Sequence, residues 1–430
     1  MMRATAISVF YVMVVAAIAP ARADPIPPGQ LRALRLDDAE RIALRDNHDM
    51  ALARMAIDAA HAAQEIAGAA PNPAVTLQTA GINPRLGIGS GDLRSKTVDT
   101  SIRIDQLFER GNKQALRSQG AAFLSDATRL DAAETMRQLR LATRQAYYDL
   151  LAAREKLQLV DETAALYSAT MAAARKRQHA GDLAASDVSR LEVDALRAVN
   201  DAVQANADLA RARRQLALLI GHPEVADMIV PADGWPTPIH APVANSESLV
   251  SRRADVRAAA MRVQSAERAW RLALASRTRD VSVGLQADHY PTSASNQQGG
   301  GNSFSISLQI PLFLRYDFNG EIRAADVALT MARETHEKTK DAARSEIARI
   351  LDEWQIAADR LARYEAELLP AAMRSAASAE FAFSHGATGI MDVLDVRRTL
   401  RLTQLETLGA RADFAKASTI PLQPDSKTPP

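Results

Sequence analysis

The chain contains no cysteine. That excludes disulfides, thiolate metal sites and a thiol nucleophile, and also the lipidated amino-terminal cysteine of a bacterial lipoprotein. Aromatic residues are only 4%, low for a large globular core. Lys plus Arg number 52 against 51 for Asp plus Glu, so no basic surplus argues for nucleic acid. Past the amino terminus there is no run of about 18 apolar residues, which leaves β-strands as the only means of crossing a membrane. No Ser/His/Asp motif, no His-Glu-x-x-His and no phosphate-cradling glycine loop occurs, and the eight histidines form no chelating motif. Neither an enzyme, a cofactor nor a resident metal is expected.

What is present begins with Arg3, an apolar run from Ala4 to Ala19 and Ala21-Arg22-Ala23, a secretory signal over residues 1–23 with the mature chain starting near Asp24. The most informative stretch is Ser303 to Phe313. Phe304, Ile306, Leu308 and Ile310 alternate with Ser303, Ser305, Ser307 and Gln309, the pattern of a tilted barrel strand with lipid on one side and a watery lumen on the other. Three further stretches read alike: Val75, Leu77 and Thr79; Val98, Thr100, Ile102 and Ile104; and Val281, Val283, Leu285 and Ala287. Asp99, Arg103 and Asp105 fall on the lumen side of the second.

Between these strands the periodicity is helical. Leu36 to Gly68 reads as one helix, stopped by Pro71-Asn72-Pro73 before a hairpin over residues 74–108. From 110 to 178 an apolar stripe (Leu139, Ala142, Ala146, Leu150, Ala153, Leu157, Val160, Ala164, Tyr167, Met171) recurs at steps of three and four, a helix of about 100 Å. Arg140, Arg144, Arg154, Glu155, Asp161 and Glu162 lie off that stripe, as on a solvated face. A turn at Gly181 to Ser186 leads into a return helix over 187–220, and a proline-rich connector with Trp235 spans 222–246. The order then repeats within residues 247–418: a helix, a hairpin over 279–313, a long helix over 320–383 and a return helix over 390–416, with a tail over 419–430. Leu107-Phe108 is answered by Leu312-Phe313, and Gly181, Asp187 and Val188 by Gly386, Asp392 and Val393, each 205 positions on. The first repeat, 24–221, has thus been duplicated, with both long helices read as equal in length.

Four strands cannot close a barrel, and an open edge is not tolerated in lipid. Several chains must therefore share one barrel, continued by a helical tube. A soluble helical adaptor or structural coiled coil would explain the helices but not the strands.

With its double strand-pair and long-helix repeat, the Ile310-Pro311-Leu312-Phe313 strand end followed by Gly320 and Ala324-Ala325, and the turns Gly181 to Val188 and Gly386 to Asp395, the chain resembles the TolC-like outer membrane factors. The resemblance implies an α+β membrane protein of the outer membrane of a Gram-negative bacterium. Four strands per chain would enter a trimeric twelve-stranded β-barrel in outer membrane lipid, continued by a periplasmic α-helical barrel. It further implies a homotrimer docked on a periplasmic adaptor (membrane fusion protein) and an inner-membrane pump. Met391-Asp392-Val393-Leu394-Asp395 resembles the family's constriction segment, and its i, i+3 spacing puts Asp392 and Asp395 on one helix face. Asp187 matches a tip carboxylate that ties helices shut, its usual tyrosine and arginine partners being Phe383 and Thr388 here, with Arg190 or Arg397 as substitutes. Gly181 and Gly386 read as turn glycines with positive φ, and with Val188 and Val393 they are expected to shape the adaptor-docking tip. Asp99, Arg103, Ser305, Ser307 and Gln309 are expected in the barrel lumen. The overall pattern is most similar to the branch serving resistance-nodulation-division pumps for cobalt, zinc, cadmium or nickel. Drug efflux and type I secretion remain alternatives.

Overall fold

The computed structural model describes residues 28–82, 98–237, 246–291 and 301–418. The signal segment, the hairpin tip from Asn83 to Ser95, most of the tip from Pro291 to Asn302, residues 238–245 of the connector and the tail 419–430 lie outside the described residues. In chain order the elements are α1 (Pro28–Leu31), α2 (Leu36–Asp46), α3 (His48–Gly68), β1 (Ala74–Ala80), β2 (Asp99–Phe108), α4 (Lys113–His179) and α5 (Ala185–Leu219). After a 3₁₀ turn (Pro223–Met228) come α6 (Ser246–Arg252), α7 (Ala254–Ala275), β3 (Val281–Tyr290), β4 (Gly301–Gln309), α8 (Asn319–Arg363), α9 (Leu369–Ser384) and α10 (Ile390–Ser418). The fold class expected from the sequence, two strand pairs and two long helices in tandem, is the one found.

The four strands form one antiparallel sheet in the order β1-β2-β3-β4. Because side chains alternate faces, Val75, Ile104, Leu285 and Ile306 line up as one row and Leu77, Ile102, Ala287 and Phe304 as the next. These rows stay open: Leu77 is 75% and Phe304 82% exposed. The opposite face is polar. There Arg103 reaches Asp105 at 2.7 Å, Ser307 Oγ at 3.0 Å and Gln286 at 3.5 Å. Gly284 lies beneath this cluster, and a Cβ on it would run into Ser307, Asp105 and Arg103. Val98 departs from the expected alternation. It is 2% exposed at a bend before β2, so it is a packed residue and not a lipid-facing one.

The helices differ from expectation in three places. The helix from Leu36 to Gly68 is two, because Asn47 turns extended (φ −67°, ψ 136°), caps α3 by accepting from Asp49 N–H at 2.7 Å, and donates to Leu219 O at 3.0 Å. The second repeat breaks likewise at Arg253 (φ −61°, ψ 138°), which bridges Asp255 and Glu346. The third difference is in the long helices. α4 runs unbroken for 67 residues, whereas its counterpart passes through a π turn at Tyr364–Leu368 beside Pro370. Proline removes a helical donor and crowds the carbonyl four residues back, which a wider turn relieves. With that turn, α8 and α9 together fall one residue short of α4, so the two copies are not equal in length.

Midway along α4 lies the largest core, with Leu31, Leu34, Ile42, Tyr147, Leu150, Leu216, Ile220 and Ile229. Tyr147 is fully buried. Its hydroxyl accepts from the N–H groups of Ala232 and Asp233 and donates to Leu34 O at 3.0 Å, and burial pushes its pKa up to about 12. Trp235 stacks on Tyr148 at 6.1 Å and donates to Glu155 at 2.9 Å. Arg144 pairs with Glu40, and Arg154 donates to Pro231 O at 2.8 Å. Part of the charge expected on a solvated face therefore holds the connector and α2 against α4. Its signal was visible: Trp235 and the prolines needed something to pack on.

Gly221 ends α5 with φ +80°, and a Cβ there would lie 2.5 Å from Asp46 O. Next to it His222 faces Asp46 through Nε2 at 3.0 Å and Glu224 through Nδ1 at 3.1 Å. Burial alone would lower the imidazole pKa, but these two carboxylates outweigh it and hold the pKa above its ordinary value. Gly221→Ala should therefore cost roughly 1–3 kcal/mol, read as a lower denaturation midpoint. A raised histidine pKa contributes stability that is complete below about pH 6.5 and is lost as pH rises through the folded-state value. Thermal melts from pH 6 to 9 should show that decline, and His222→Gln should flatten it.

Candidate functional site

Each long helix ends in the same turn. In the first, Ala180 N–H bonds Lys176 O, Gly181 N–H bonds Gln178 O and Asp182 N–H bonds Arg177 O. In the second, His385, Gly386 and Ala387 bond Phe381, Phe383 and Ala382 in the same pattern. Both glycines are left-handed, φ +84° and +73°, and a Cβ on either would meet nothing within 4 Å. Glycine is thus needed for the backbone and not for space. Behind the turns Tyr167, Met171, Ala174, Val188, Leu191, Ala198 and Leu394 form a small apolar cluster that fastens α4, α5 and α10 together.

The carboxylates stand at the starts of the return helices. Asp187 and Asp392 are both in the first turn, where the helix dipole favours negative charge. Asp392 Oδ2 accepts from Thr388 Oγ1 at 2.7 Å and from Gly389 N–H at 3.3 Å, so it caps α10 from within. Asp187 makes no side-chain hydrogen bond or ion pair within the chain among the described residues and is half-buried. Asp395 is one turn on from Asp392, on the same face, 75% exposed and 3.1 Å from Arg398. The two return helices differ here: the position matching Asp395 in the first repeat is Arg190, so only the second begins with two carboxylates three residues apart.

Val188 and Val393, expected on the docking surface with the glycines, are instead buried, at 6% and 7% exposure. Each follows an outward aspartate by one residue, and a helix turns about 100° per residue, which carries the valine inward. Thr388 serves Asp392, and Phe383 lies under the Arg177 guanidinium at 5.7 Å. Arg397 pairs with Glu380 at 2.7 Å across α9 and α10, while Arg190 makes no side-chain hydrogen bond or ion pair among the described residues. The equivalent tie in the first repeat is Arg175 with Glu192 at 3.1 Å, the same two positions with the charges exchanged. His179 and His385 direct Nδ1 at carbonyls four residues back in their own helices.

Sequence reasoning missed the bonds between repeats. Arg398 reaches Asp194 at 2.6 Å, and Arg401 reaches Asp201 at 2.7 Å, joining α10 to α5. The signal was there in the heptad spacing of Asp187, Asp194, Asp201 and Asp208. Among the described residues no group of three or more His, Asp or Glu is placed to hold a metal, and no helix is long and apolar enough to cross a membrane.

Comparison with known proteins adds to this geometry. The family model described as Outer membrane efflux protein matches residues 41–222 and 245–419. A curated relative, the cobalt-zinc-cadmium resistance protein CzcC of Cupriavidus metallidurans, is 22% identical over 349 residues, covering 78% of this chain and 79% of its own. Among solved structures, CusC, described in terms of transmembrane channel formation, superposes with a TM-score of 0.75 at 18% identity, covering 94% of this chain and 98% of its own. The outer membrane channel CmeC of Campylobacter jejuni gives 0.76 at 14% identity, covering 90% and 84%.

Since Thr388 donates to the Asp392 carboxylate, Thr388→Val should loosen the start of α10 by roughly 0.5–1 kcal/mol. Hydrogen exchange of the first-turn amides of α10 should accelerate about two- to fivefold, with α5 unchanged.

Proposed function

The chain belongs to the outer membrane efflux protein family, and on that premise we propose that it is the passive exit duct of a tripartite resistance-nodulation-division assembly carrying divalent heavy-metal cations. Membership makes it an outer membrane channel protein with a periplasmic extension, a class that does its work without catalysis. The finer reading is supported by one observation above the rest, the exposed pair Asp392 and Asp395 on one face at the helix tips. Arg398 offsets only part of that charge, because it is shared with the nearly buried Asp194. In a homotrimer six such carboxylates would ring the constriction, attracting cations and repelling anions. Asp187 adds a carboxylate at the neighbouring tip. Cobalt, zinc, cadmium and nickel are the proposed cargo, in keeping with the curated relative's name. Such a duct should hold its cargo weakly, since tight binding would block passage.

In the same reading the polar sheet face, with Asp99, Arg103, Ser305, Ser307 and Gln309, lines the barrel lumen. The glycine turns at Gly181 and Gly386 present the docking end to a periplasmic adaptor, which links the duct to the inner-membrane pump. Val188 and Val393 support that end from inside.

Purified protein in planar bilayers tests the charge ring. Wild type should conduct with cations preferred, and Asp392→Ala combined with Asp395→Ala should cut the cation-to-anion permeability ratio by roughly threefold or more. Asp395→Ala alone, which spares the α10 cap, should account for a measurable part of that loss. Unchanged selectivity in all variants would place the constriction elsewhere.

A further inference from the structure

The sheet hands over to the long helices through two elbows, one after β2 and one after β4. Their sequences correspond: Leu107-Phe108-Glu109-Arg110-Gly111 is answered by Leu312-Phe313-Leu314-Arg315-Tyr316, each 205 positions on. At the first elbow the carboxylates are matched by cations. Glu109 pairs with Arg117 at 2.8 Å, and Asp280 takes both the Lys113 ammonium at 2.8 Å and the Arg110 N–H at 2.9 Å. At the second, Leu314 stands in the place of that glutamate and Tyr316 in the place of the glycine.

The second elbow is firmly built. Leu314 N–H bonds Leu312 O at 3.1 Å, which bends the chain away from β4. Phe318, just ahead of α8, is left-handed at φ +64°, a costly conformation for a bulky residue. The residue just ahead of α4 is Asn112 at φ +60°, a type that tolerates it. The Phe318 ring packs edge-on against Phe313 at 4.9 Å and lies 5.8 Å from Tyr316. Arg277 donates to Asp317 O at 3.0 Å and to Asn319 Oδ1 at 2.7 Å, and the Tyr316 hydroxyl accepts from Gly320 N–H at 3.1 Å and donates to Glu321. Despite this internal packing Leu312, Leu314 and Tyr316 stay open, at 64%, 81% and 51% exposure. The nearby carboxylates are engaged, Asp317 with Asn319 and Arg277, Glu321 with Tyr316 and Asp280 with Lys113. Among the described residues neither Arg315 nor Arg279 makes a hydrogen bond or ion pair, and both are exposed, Arg279 standing over the Phe313 ring at 5.9 Å.

We propose that this elbow binds an anionic phospholipid of the periplasmic leaflet, with Arg279 and Arg315 on the headgroup phosphate and Leu312, Leu314 and Tyr316 against the acyl chains. The proposal rests on the reading that the polar sheet face is the lumen, which turns Phe304, Ile306 and Leu308 to lipid. Position favours it, because β4 leads directly into the periplasmic helix α8, so the elbow marks the boundary of the membrane on that side. Continuity favours it as well, since exposed Ile310, Leu312 and Leu314 follow on from the apolar row of β4. So does charge. Guanidinium groups without a carboxylate suit a phosphate, which arginine holds through paired N–H donors, and a half-exposed tyrosine with an apolar ring and a polar tip suits the headgroup level. A second copy against this edge would cover the leucines, yet the other free edge strand, β1, has no carboxylate to offer the arginines. The first elbow has neither Leu314 nor Tyr316, so the site belongs to the second repeat alone.

The test uses the assembled protein in dodecyl maltoside, stripped of lipid and titrated with phosphatidylglycerol, phosphatidylcholine or inorganic phosphate, with bound lipid counted by native mass spectrometry. Wild type should hold phosphatidylglycerol about fivefold or more tighter than phosphatidylcholine. Arg279→Gln combined with Arg315→Gln should remove most of that preference and leave phosphatidylcholine binding as it was. Arg110→Gln, the matching change at the first elbow, should keep the preference within about twofold of wild type. Equal binding of the two lipids by wild type overturns the site, and so does an equally large loss with Arg110→Gln. Inorganic phosphate that displaces the lipid at equal concentration assigns the arginines to a free anion and overturns it too. Loss of the oligomer in the double variant, read by mass photometry, makes this face a contact between copies instead. Flotation of wild type with phosphatidylcholine vesicles tests the underlying reading by itself. Protein that fails to enter them loses the lipid-facing sheet and the site with it, whereas protein that enters but shows no lipid preference loses only the site.

Discussion

A peptide group that enters lipid must find its hydrogen-bond partner within protein, and everything else in this molecule follows from that requirement. Four strands satisfy it in the middle of the sheet and fail at both edges. A single chain is therefore an incomplete object, and its surface says so: the most exposed large apolar residues include Phe304, Ile306, Leu314 and Leu77, all in or next to the sheet. The composition agrees. With 4% aromatics and abundant alanine, the chain relies on narrow helix-to-helix seams along α4, α5, α8 and α10, and groups aromatics around Tyr147, Tyr148 and Trp235 and, after β4, around Phe313, Tyr316 and Phe318.

Duplication gives two copies of each device, and the copies differ at the starts of the return helices and in the long helices. The tip turns match bond for bond, and the ion pairs behind them match in position with reversed charge. The starts of the return helices do not match. Asp187 is followed three residues later by Arg190, and Asp392 by Asp395, so one helix start is mixed in charge and the other acidic. Nothing in packing requires that difference, because both positions are on the outer side of a helix start. The same holds at the long helices, where only the second copy carries a proline and the π turn beside it.

The middle of the molecule is organised by contacts distant in sequence. Gly221 and His222 meet the end of α2, Asn47 caps α3 and reaches back to Leu219, and the connector is held by Tyr147, Arg154 and Glu155. These contacts secure the point at which one repeat hands over to the next. The tips, by contrast, rest on a small apolar cluster and on largely exposed ion pairs, each worth little alone. The molecule is thus firm at the middle and lightly tied at its tips.

Much of this was legible in the residues. Alternation at period two gave the strands and their faces, spacing of three and four gave α4, and the 205-position repeats gave the duplication, because each rests on local geometry that a sequence expresses directly. The positive-φ turns at Gly181 and Gly386 were legible for the same reason. Other features depended on what lies opposite in space. Asn47 and Arg253 break helices whose apolar pattern continues across them, since each is drawn to partners far along the chain. Val188 and Val393 share a motif with outward aspartates yet are buried, a matter of which side of each return helix meets the apolar tip cluster. The Arg398–Asp194 and Arg401–Asp201 bonds join residues some 200 positions apart. Sequence by itself determined what each segment forms, because propensity and periodicity act within a few residues. Only the tertiary structure decided which charges pair and which apolar residues are covered, because those outcomes are set by distances between segments that no local pattern encodes.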